Sequence, residues 1–501
     1  MSRLPSSPAA RAWLGLALLG LLVVMLVLGL RLIPRLGAGQ QLIDAAEPAL
    51  TDDRVAGTRA GVAFASRYVD VVDPMVTARG AARERATLVA LIARRSELSE
   101  RQAAALLRRE APRVDALLRA LPLSATAAET PRLTSLLATR LGVSRDELAA
   151  TLEESFPRLA QMLTALRSTT SGWNDIPGSA DLTRFDGTTP VRTVPQLADL
   201  LSSDLVATLE RSREDFGSVA GSGGVGYIPW LLLVVGLLAL GGGLAQARRA
   251  QSAPPGRLAW SVVAGAGVLL IALTFALQLF PRMSAAEDVV DRLRPAFDEQ
   301  RVEGLRAGVD MLHQAVLFGD PIATRRDGGF AEARRLVTFV SQRTNVSPAR
   351  VRADLRRRAP RTTALLQAIP LTSASAEVQP LLADLARRLG MRREQLVATL
   401  RRSTPRLAQT LLGLRPVATG WREIPGTARM TRFDGTPARR MPAIDAYLGQ
   451  DLVPVLENRR ASFRDVSEPW PPLTYLPPLV LAIGVLAVLY GLLMMDFATR
   501  R

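Results

Sequence analysis

The residues of this chain best equipped for chemistry lie in two stretches, 172–188 and 420–436, that carry them in the same order. Gly172, Trp173, Ile176, Pro177, Gly178, Ala180, Thr183, Arg184, Phe185, Asp186, Gly187 and Thr188 each recur 248 positions later, which is 12 of 17 positions. Arg184 beside Asp186, and Arg432 beside Asp434, could serve carboxylate acid–base chemistry, and Asp175 adds another carboxyl to the first copy. The same stretches suit recognition. Trp173 and Phe185 with Ile176 and Pro177, and Trp421 and Phe433 with Ile424 and Pro425, set rigid apolar anchors beside an arginine, as interfaces prefer. Asp186-Gly187 and Asp434-Gly435 favour a tight turn with positive φ, and a small hairpin is expected at each. Three readings stay open: an ordered docking surface, apolar plugs that close the end of a helical bundle while Arg and Asp hold the loop in shape, or a catalytic loop.

Other chemistries are narrowed by what the chain lacks. It has no Cys, so thiol, disulfide and Cys-ligated metal chemistry are excluded. The one histidine, His313, has Ser66 as its counterpart, which excludes a histidine site common to both copies and makes His313 an ordinary helix-surface residue. No HExxH, GxSxG, P-loop or acidic calcium loop occurs. Gly221, Gly223 and Gly226 match GxGxxG, but an apolar span follows where a βαβ unit is needed, so they read as a juxtamembrane linker. Neither a catalytic set, a cofactor nor a metal is expected.

Loops of this kind need elements to hold them, and the pattern supplies helices. Leu148, Leu152, Phe156, Leu159, Leu163 and Leu166 step by three or four, the period of one helix face turned to a core. Ser144 with Glu147 forms a capping box, and Pro348 after Ser347 suits a first helical turn. Pro157 predicts a kink or break, because proline lacks the amide proton and collides with the preceding turn. The two loops are placed at 168–192 and 416–440, between the last core helix and the helix leading away.

The repeat reaches far beyond the loops. Arg54, Val55, Gly57, Arg59, Ala60, Gly61 and Val62 recur as Arg301, Val302, Gly304, Arg306, Ala307, Gly308 and Val309, and Pro157 to Gln161 recur as Pro405 to Gln409. A tandem duplication at an offset of 247 or 248 is the reading. In the first copy Ser99, Leu107, Pro112, Arg113 and Leu118 are echoed 45 positions later by Ser144, Leu152, Pro157, Arg158 and Leu163, and in the second Leu355, Pro360, Arg361 and Leu366 by Leu400, Pro405, Arg406 and Leu411, so two similar helical units per copy are expected.

Mean hydropathy of +0.15 with 48% hydrophobic and 22% charged residues indicates a chain that is part membrane-embedded and part exposed. Four stretches without a central charge are long and apolar enough to span a bilayer, and transmembrane helices are expected at 12–33, 228–247, 258–280 and 476–495. The first is too long for a signal-peptide core, and Trp13, Pro34 and Arg35 recur in mid-chain as Trp260, Pro281 and Arg282, so it reads as an uncleaved anchor that continues outward as a stalk. Arg3, Arg11, Arg248, Arg249, Arg257, Arg500 and Arg501 place segments 1–11, 248–257 and 496–501 in the cytoplasm. Segments 35–226 and 282–474 then face outward. The expected fold class is all-α, with four transmembrane helices and two homologous extracytoplasmic helical domains in parallel tandem, unlike the inverted repeats of many transporters. Ala239 with Gly243, and Ala487 with Gly491, form small-xxx-small pairs that let such helices approach closely.

All 63 basic residues are arginine, the coding signature of a GC-rich, actinobacterium-like genome. Charge is uneven, with net −1 over 35–226 and net +11 over 282–474. The second outer domain is therefore expected to attract anionic lipids or wall polymers, with Arg356 to Arg358 as candidates, whereas solvated helix faces account for the same charges equally well. The outward placement argues against nucleic acid. Large outer domains, no catalytic set and little cytoplasmic mass lead to a non-enzymatic protein of the bacterial plasma membrane. Its duplicated domains would dock or scaffold other membrane or cell-wall proteins, in contact with membrane lipids. The alternatives are a ligand- or lipid-binding sensor or carrier accessory, and an outer-leaflet enzyme using the loop Asp and Arg.

Overall fold

Alanine, leucine and arginine, all strong helix formers, dominate the chain between its Gly- and Pro-rich joints. The computed structural model describes residues 8–77, 81–220, 226–249, 257–323, 329–467 and 472–499. It is all-helical, with 82% helix, and among the described residues no strand forms. Two isolated antiparallel bridges occur among the described residues, Thr183 with Pro190 and Thr431 with Pro437.

The helix starts follow the local chemistry. Ser144 and Glu147 close the expected capping box on Arg145–Ser155, and Ser99 closes another with Gln102 on Glu100–Glu110. Ser347 caps Pro348–Arg358, with Pro348 in the first turn. Pro157 makes a complete break: Arg145–Ser155 stops, Phe156 turns the chain at φ −140°, and Pro157–Gly172 begins anew. Pro112–Ala120, Pro360–Ala368 and Pro405–Gly420 begin in the same way.

Contacts divide the chain into two compact units, one of Met1–Thr51, Thr208–Glu299 and Val455–Arg501, the other of Asp52–Ala207 with Gln300–Pro454. The expected division into separate outer domains at 35–226 and 282–474 is therefore not the division the structure makes. The central parts of both stretches build a single helical unit, because each leaves helix ends and glycine faces that the other completes.

Four helices of that unit begin at Pro112, Pro157, Pro360 and Pro405 with no side-chain cap from the preceding residue. Their first free amides would stay unsatisfied without an acceptor. Glu377 Oε2 accepts from the Arg113 and Val114 amides at 2.8 and 3.2 Å, and Glu129 Oε2 accepts from the Arg361 and Thr362 amides at 2.8 and 3.3 Å. Glu332 caps the Leu159 amide at 2.8 Å, and Glu84 caps the Leu407 amide at 2.7 Å. In all four cases the carboxylate comes from the other half of the sequence, and its charge also suits the positive end of the helix dipole. Glycines add close approach. A Cβ on Gly308, in Glu299–Ala323, would meet Leu197 Cδ1 at 2.6 Å, and one on Gly61, in Asp52–Val76, would meet Ile444 Cγ2 at 2.8 Å.

The other unit holds the apolar helices. Three of them, Ala10–Gly29, Ile228–Arg249 and Leu473–Asp496, are long and apolar enough to cross a membrane. A bent pair, Trp260–Ala276 with Leu279–Phe297 at 47°, passes the same test only as one broken span. Two of the expected spans, 12–33 and 258–280, are thus interrupted at their distal ends: Arg31 and Gln278 take the left-handed conformation, with φ of 51° and 47°, and each starts a new helix. The expected continuous stalk after the first span is the separate helix Leu32–Ala46. Pro8–Gly29 packs on Ile228–Arg249, and Arg257–Ala276 packs on Leu476–Thr499. A Cβ on Gly243 would meet the Ala17 amide nitrogen and the Trp13 carbonyl oxygen at 2.6 Å, and one on Gly491 would meet the Ala264 amide nitrogen at 2.8 Å. Ala239 and Ala487 lie in the same seams, against the positions where Gly20 and Gly267 face their partners. Leu18, Met25, Leu238, Phe275 and Leu486 point away from these seams and are more than half exposed.

Near Phe297 the first unit is held by a stacked pair, Phe297 on Phe463 with ring centroids 4.4 Å apart, and by Arg460 donating to Glu299 at 2.5 Å. The Gly221 and Gly223 linker, the connection at 250–256 and the terminal Arg3, Arg500 and Arg501 lie outside the described residues.

Candidate functional site

Each loop begins later than its sequence suggests, since the preceding helices run on to Gly172 and Gly420. Trp173 and Trp421 follow immediately, both fully buried. A buried indole needs an acceptor for its N–H. Trp173 Nε1 donates to Asp73 Oδ1, and Trp421 Nε1 donates to Asp320 Oδ1, each at 2.9 Å. Ile176 and Ile424 are buried behind them, and their amides donate to the Arg192 and Arg439 carbonyls at 2.8 Å, closing the base of each loop.

Beyond that base the chain makes the expected small hairpin. The Arg184 and Arg432 amides donate to the Thr189 and Thr436 carbonyls at 2.8 Å, and Gly187 and Gly435 sit at the tips with φ of 77° and 84°. Positive φ is what the Asp-Gly dipeptide anticipates. Asp186 accepts at 2.8 and 2.9 Å from the Thr188 and Thr189 amides and at 2.6 Å from the Thr189 hydroxyl; Asp434 accepts from the Thr436 amide and hydroxyl at 2.8 and 2.7 Å. These bonds stabilise the ionised form, so both carboxyls are held below the usual aspartate range.

The arginines are committed as well, by a device the sequence does not advertise. Leu200–Val206 and Tyr447–Leu452 are π-helical turns, and each carries an aspartate toward the hairpin. Asp204 takes Arg184 NH2 at 2.5 Å and Nε at 3.1 Å, and Asp451 takes Arg432 NH2 at 2.8 Å and Nε at 3.0 Å. Each also accepts the next amide, Phe185 N at 3.0 Å and Phe433 N at 3.2 Å. Such two-point pairs are the strong, geometrically exacting kind. They push both guanidinium pKa values up, away from any role in proton transfer.

The two halves also grip each other's hairpins. Arg54 donates to the Thr431 and Arg432 carbonyls at 2.9 Å and lies over the Phe433 ring, 5.4 Å from its centroid. Arg301 donates to Thr183 Oγ1 at 3.2 Å. Nothing in the sequence pattern names Arg54 and Arg301 as partners, although their shared recurrence with Gly57 and Gly61 is the signal that could have found them.

The geometry therefore gathers these loop residues at one place per half, but turns the Trp and Ile anchors inward. Trp173, Ile176, Trp421 and Ile424 are buried, Arg184, Phe185, Arg432 and Phe433 are half-buried, and Asp186, Gly187, Asp434 and Gly435 are exposed. Pro177 and Pro425 are exposed at the base. Among the described residues no group of three or more His, Asp or Glu is placed to hold a metal ion. His313 is half-exposed, and its Nδ1 lies 2.5 Å from the buried carboxylate of Asp445. Comparison with protein-family models, curated proteins and solved structures finds no match for this chain.

Proposed function

We propose that this chain is a multi-pass protein of a bacterial plasma membrane whose helical unit lies outside the cytoplasm and acts, without catalysis, as a rigid docking body for other membrane or cell-wall proteins. In this reading the four apolar segments cross the bilayer, with the bent pair as one broken crossing, and both termini are cytoplasmic. A parallel tandem duplication supplies the two halves of the helical unit. The outward-facing leucines and phenylalanines of the apolar helices fit a hydrocarbon surface, and the positions of the arginines fit the positive-inside pattern.

The observation that carries the docking reading is the reciprocal capping of four helix starts by Glu84, Glu129, Glu332 and Glu377. It locks the halves into one body, from which the Asp-Gly-Thr tips of the hairpins turn to solvent. Those tips are well-ordered small protrusions on a stiff support, which suits recognition, because little order remains to be imposed on binding. Asp186, Asp434, Arg184 and Arg432, each held by internal partners, do not favour the enzymatic alternative.

The absence of Cys makes the test direct. Full-length chains carrying Thr188→Cys or Thr436→Cys should react with a membrane-impermeant maleimide on intact cells, whereas Ser252→Cys should react only after permeabilisation. A photo-crosslinker at position 188 or 436 should then yield discrete adducts with other envelope proteins. Labelling of the tips only in permeabilised cells sinks the topology, and recovery of the chain alone by crosslinking and mild-detergent purification sinks the docking role.

A second reading, binding of a ligand or lipid by the helical unit, is favoured by a cavity in the second half of the sequence.

A further inference from the structure

The two halves of the helical unit differ at one buried carboxylate. In the first half Asp115 is fully buried in Pro112–Ala120 and is ringed by guanidinium groups, with Arg85 and Arg119 at 2.9 Å and Arg108 at 3.9 Å. The charge is settled inside the protein. At the position 248 residues later stands Thr363, whose hydroxyl donates to the Ala359 carbonyl at 2.7 Å. The carboxylate is gone, and so are the two arginines closest to it, since Ala333 and Gln367 stand where Arg85 and Arg119 stood; Arg356 keeps the place of Arg108, and new arginines appear at 334, 335 and 352 in place of Ala86, Thr87 and Ala104.

Around Thr363 the structure opens into a cleft of about 790 Å³ between Gly329–Thr344, Pro348–Arg358 and Pro360–Ala368. Arg334, Arg335, Arg352 and Arg356 line it, and its lining contains no acidic residue. The neighbouring Glu332 is buried and caps the Leu159 amide, and Asp354 pairs with Arg140, so both nearby carboxylates are engaged elsewhere. The floor is apolar: Leu133, Leu336 and Leu355 are buried beneath the cleft. The volume falls in the range of small-molecule sites, roughly 300–1,000 Å³.

We propose that this cleft binds an anionic amphiphile, a molecule with a phosphate or carboxylate head and an apolar tail. The head lies among Arg334, Arg335, Arg352 and Arg356, whose planar donors match such oxygens. The tail lies on the leucine floor. The proposal does not depend on which side of a membrane the helical unit occupies.

The probe is oleoyl lysophosphatidate, with oleoyl lysophosphatidylcholine and inorganic phosphate as comparison arms, each titrated against the full chain in a non-ionic detergent by native mass spectrometry or calorimetry. Lysophosphatidate should bind with one saturable site, at least tenfold more tightly than either comparison. Thr363→Asp, which returns a carboxylate to the cleft, should weaken it at least tenfold, and the surface pair Arg335→Gln with Arg352→Gln should do the same while leaving the melting temperature of the free protein unchanged. Equal binding of the two lysolipids, or undiminished binding by the arginine pair, overturns the proposal. Inorganic phosphate binding as tightly as lysophosphatidate assigns the cleft to a soluble anion and overturns the amphiphile. Failure of the hairpin crosslinks leaves this result untouched, because the probe is added directly.

Discussion

Trp173 and Trp421 occupy matching places, yet the walls around them differ. Both are fully buried and both give their indole proton to an aspartate of a long helix, Asp73 and Asp320. Around Trp421, however, Tyr68 stands edge-on with centroids 5.0 Å apart, and Phe64 follows at 6.4 Å. The corresponding residues 247 positions later are Ala315 and Met311, and Met311 packs against Gly172 instead. Tyr68 is wholly buried, its hydroxyl donates to the Ala315 carbonyl at 2.7 Å, and burial pushes its pKa up. The difference separates two jobs: the shared indole–aspartate bond fixes the loop, while the rings fill the space between the halves on one side only.

Truncation should expose that division most strongly. Trp421→Ala is expected to cost about 3–5 kcal/mol through the cavity it leaves, and loss of the ring contacts should add about 0.5–1.5 kcal/mol that Trp173→Ala does not suffer. Chemical unfolding of the full chain in detergent, followed by helical circular dichroism, measures both. Equal losses would show that the rings add nothing and that the asymmetry is only one of shape.

The carboxylate caps test the opposite expectation, that the halves are alike. Glu129→Gln and Glu377→Gln should each cost about 0.5–2 kcal/mol, the usual worth of a helix N-cap, because each removes the charged acceptor from two amides of a proline-started helix. Matched losses from the same unfolding measurement support reciprocal locking. A loss confined to one variant would mean that only one half depends on the other, and the single rigid body would have to be given up.

Much of this architecture is legible in the sequence, and what is not has a physical reason. Local rules reach the Ser144 capping box, the helix break at Pro157, the Asp-Gly tips and the glycine seams of the apolar helices, because each depends on residues a few positions apart. The pairing of Glu377 with the start at Pro112 spans more than half the chain, and no local rule connects them. The break after Gly29 is hidden for a related reason: Arg31 in the left-handed region is decided by packing, not by a residue type that announces a turn. The loop residues were recognisable by their recurrence, but recurrence alone does not say whether Trp173 points outward to a partner or inward to Asp73. The partners that settle this, Asp204 and Asp451, project from π-helical turns whose phase no regular helical pattern anticipates.

The smallest expected effect concerns a pair that one half has and the other lacks. Ser66 and Ala198 line a small void in the first half; 247 positions later stand His313 and Asp445, with Nδ1 and Oδ2 2.5 Å apart. The hydrogen bond to the Asp445 carboxylate raises the His313 pKa above its ordinary value, partial burial opposes it, and Asp310 on the same helix adds to the rise. Burial likewise raises the Asp445 carboxyl, and its second oxygen has no hydrogen-bond partner. Both groups hold a proton more tightly folded than unfolded. The histidine contribution is therefore complete below the ordinary imidazole value of about 6.5 and is lost as pH rises through the higher folded value. That of the carboxyl is complete below the ordinary aspartate value of about 3.9 and is lost as pH rises through its higher folded value. Between pH 6 and 8 the His313 contribution should decline. Because its side chain is nearly half exposed, at 47%, solvent screens the pair and the drop should be modest. The melting temperature of the full chain should fall slightly over that interval, and the double variant His313→Ser with Asp445→Ala, which copies the first half, should flatten the slope. An unchanged slope would place the titrating group elsewhere and remove this difference between the halves from the account.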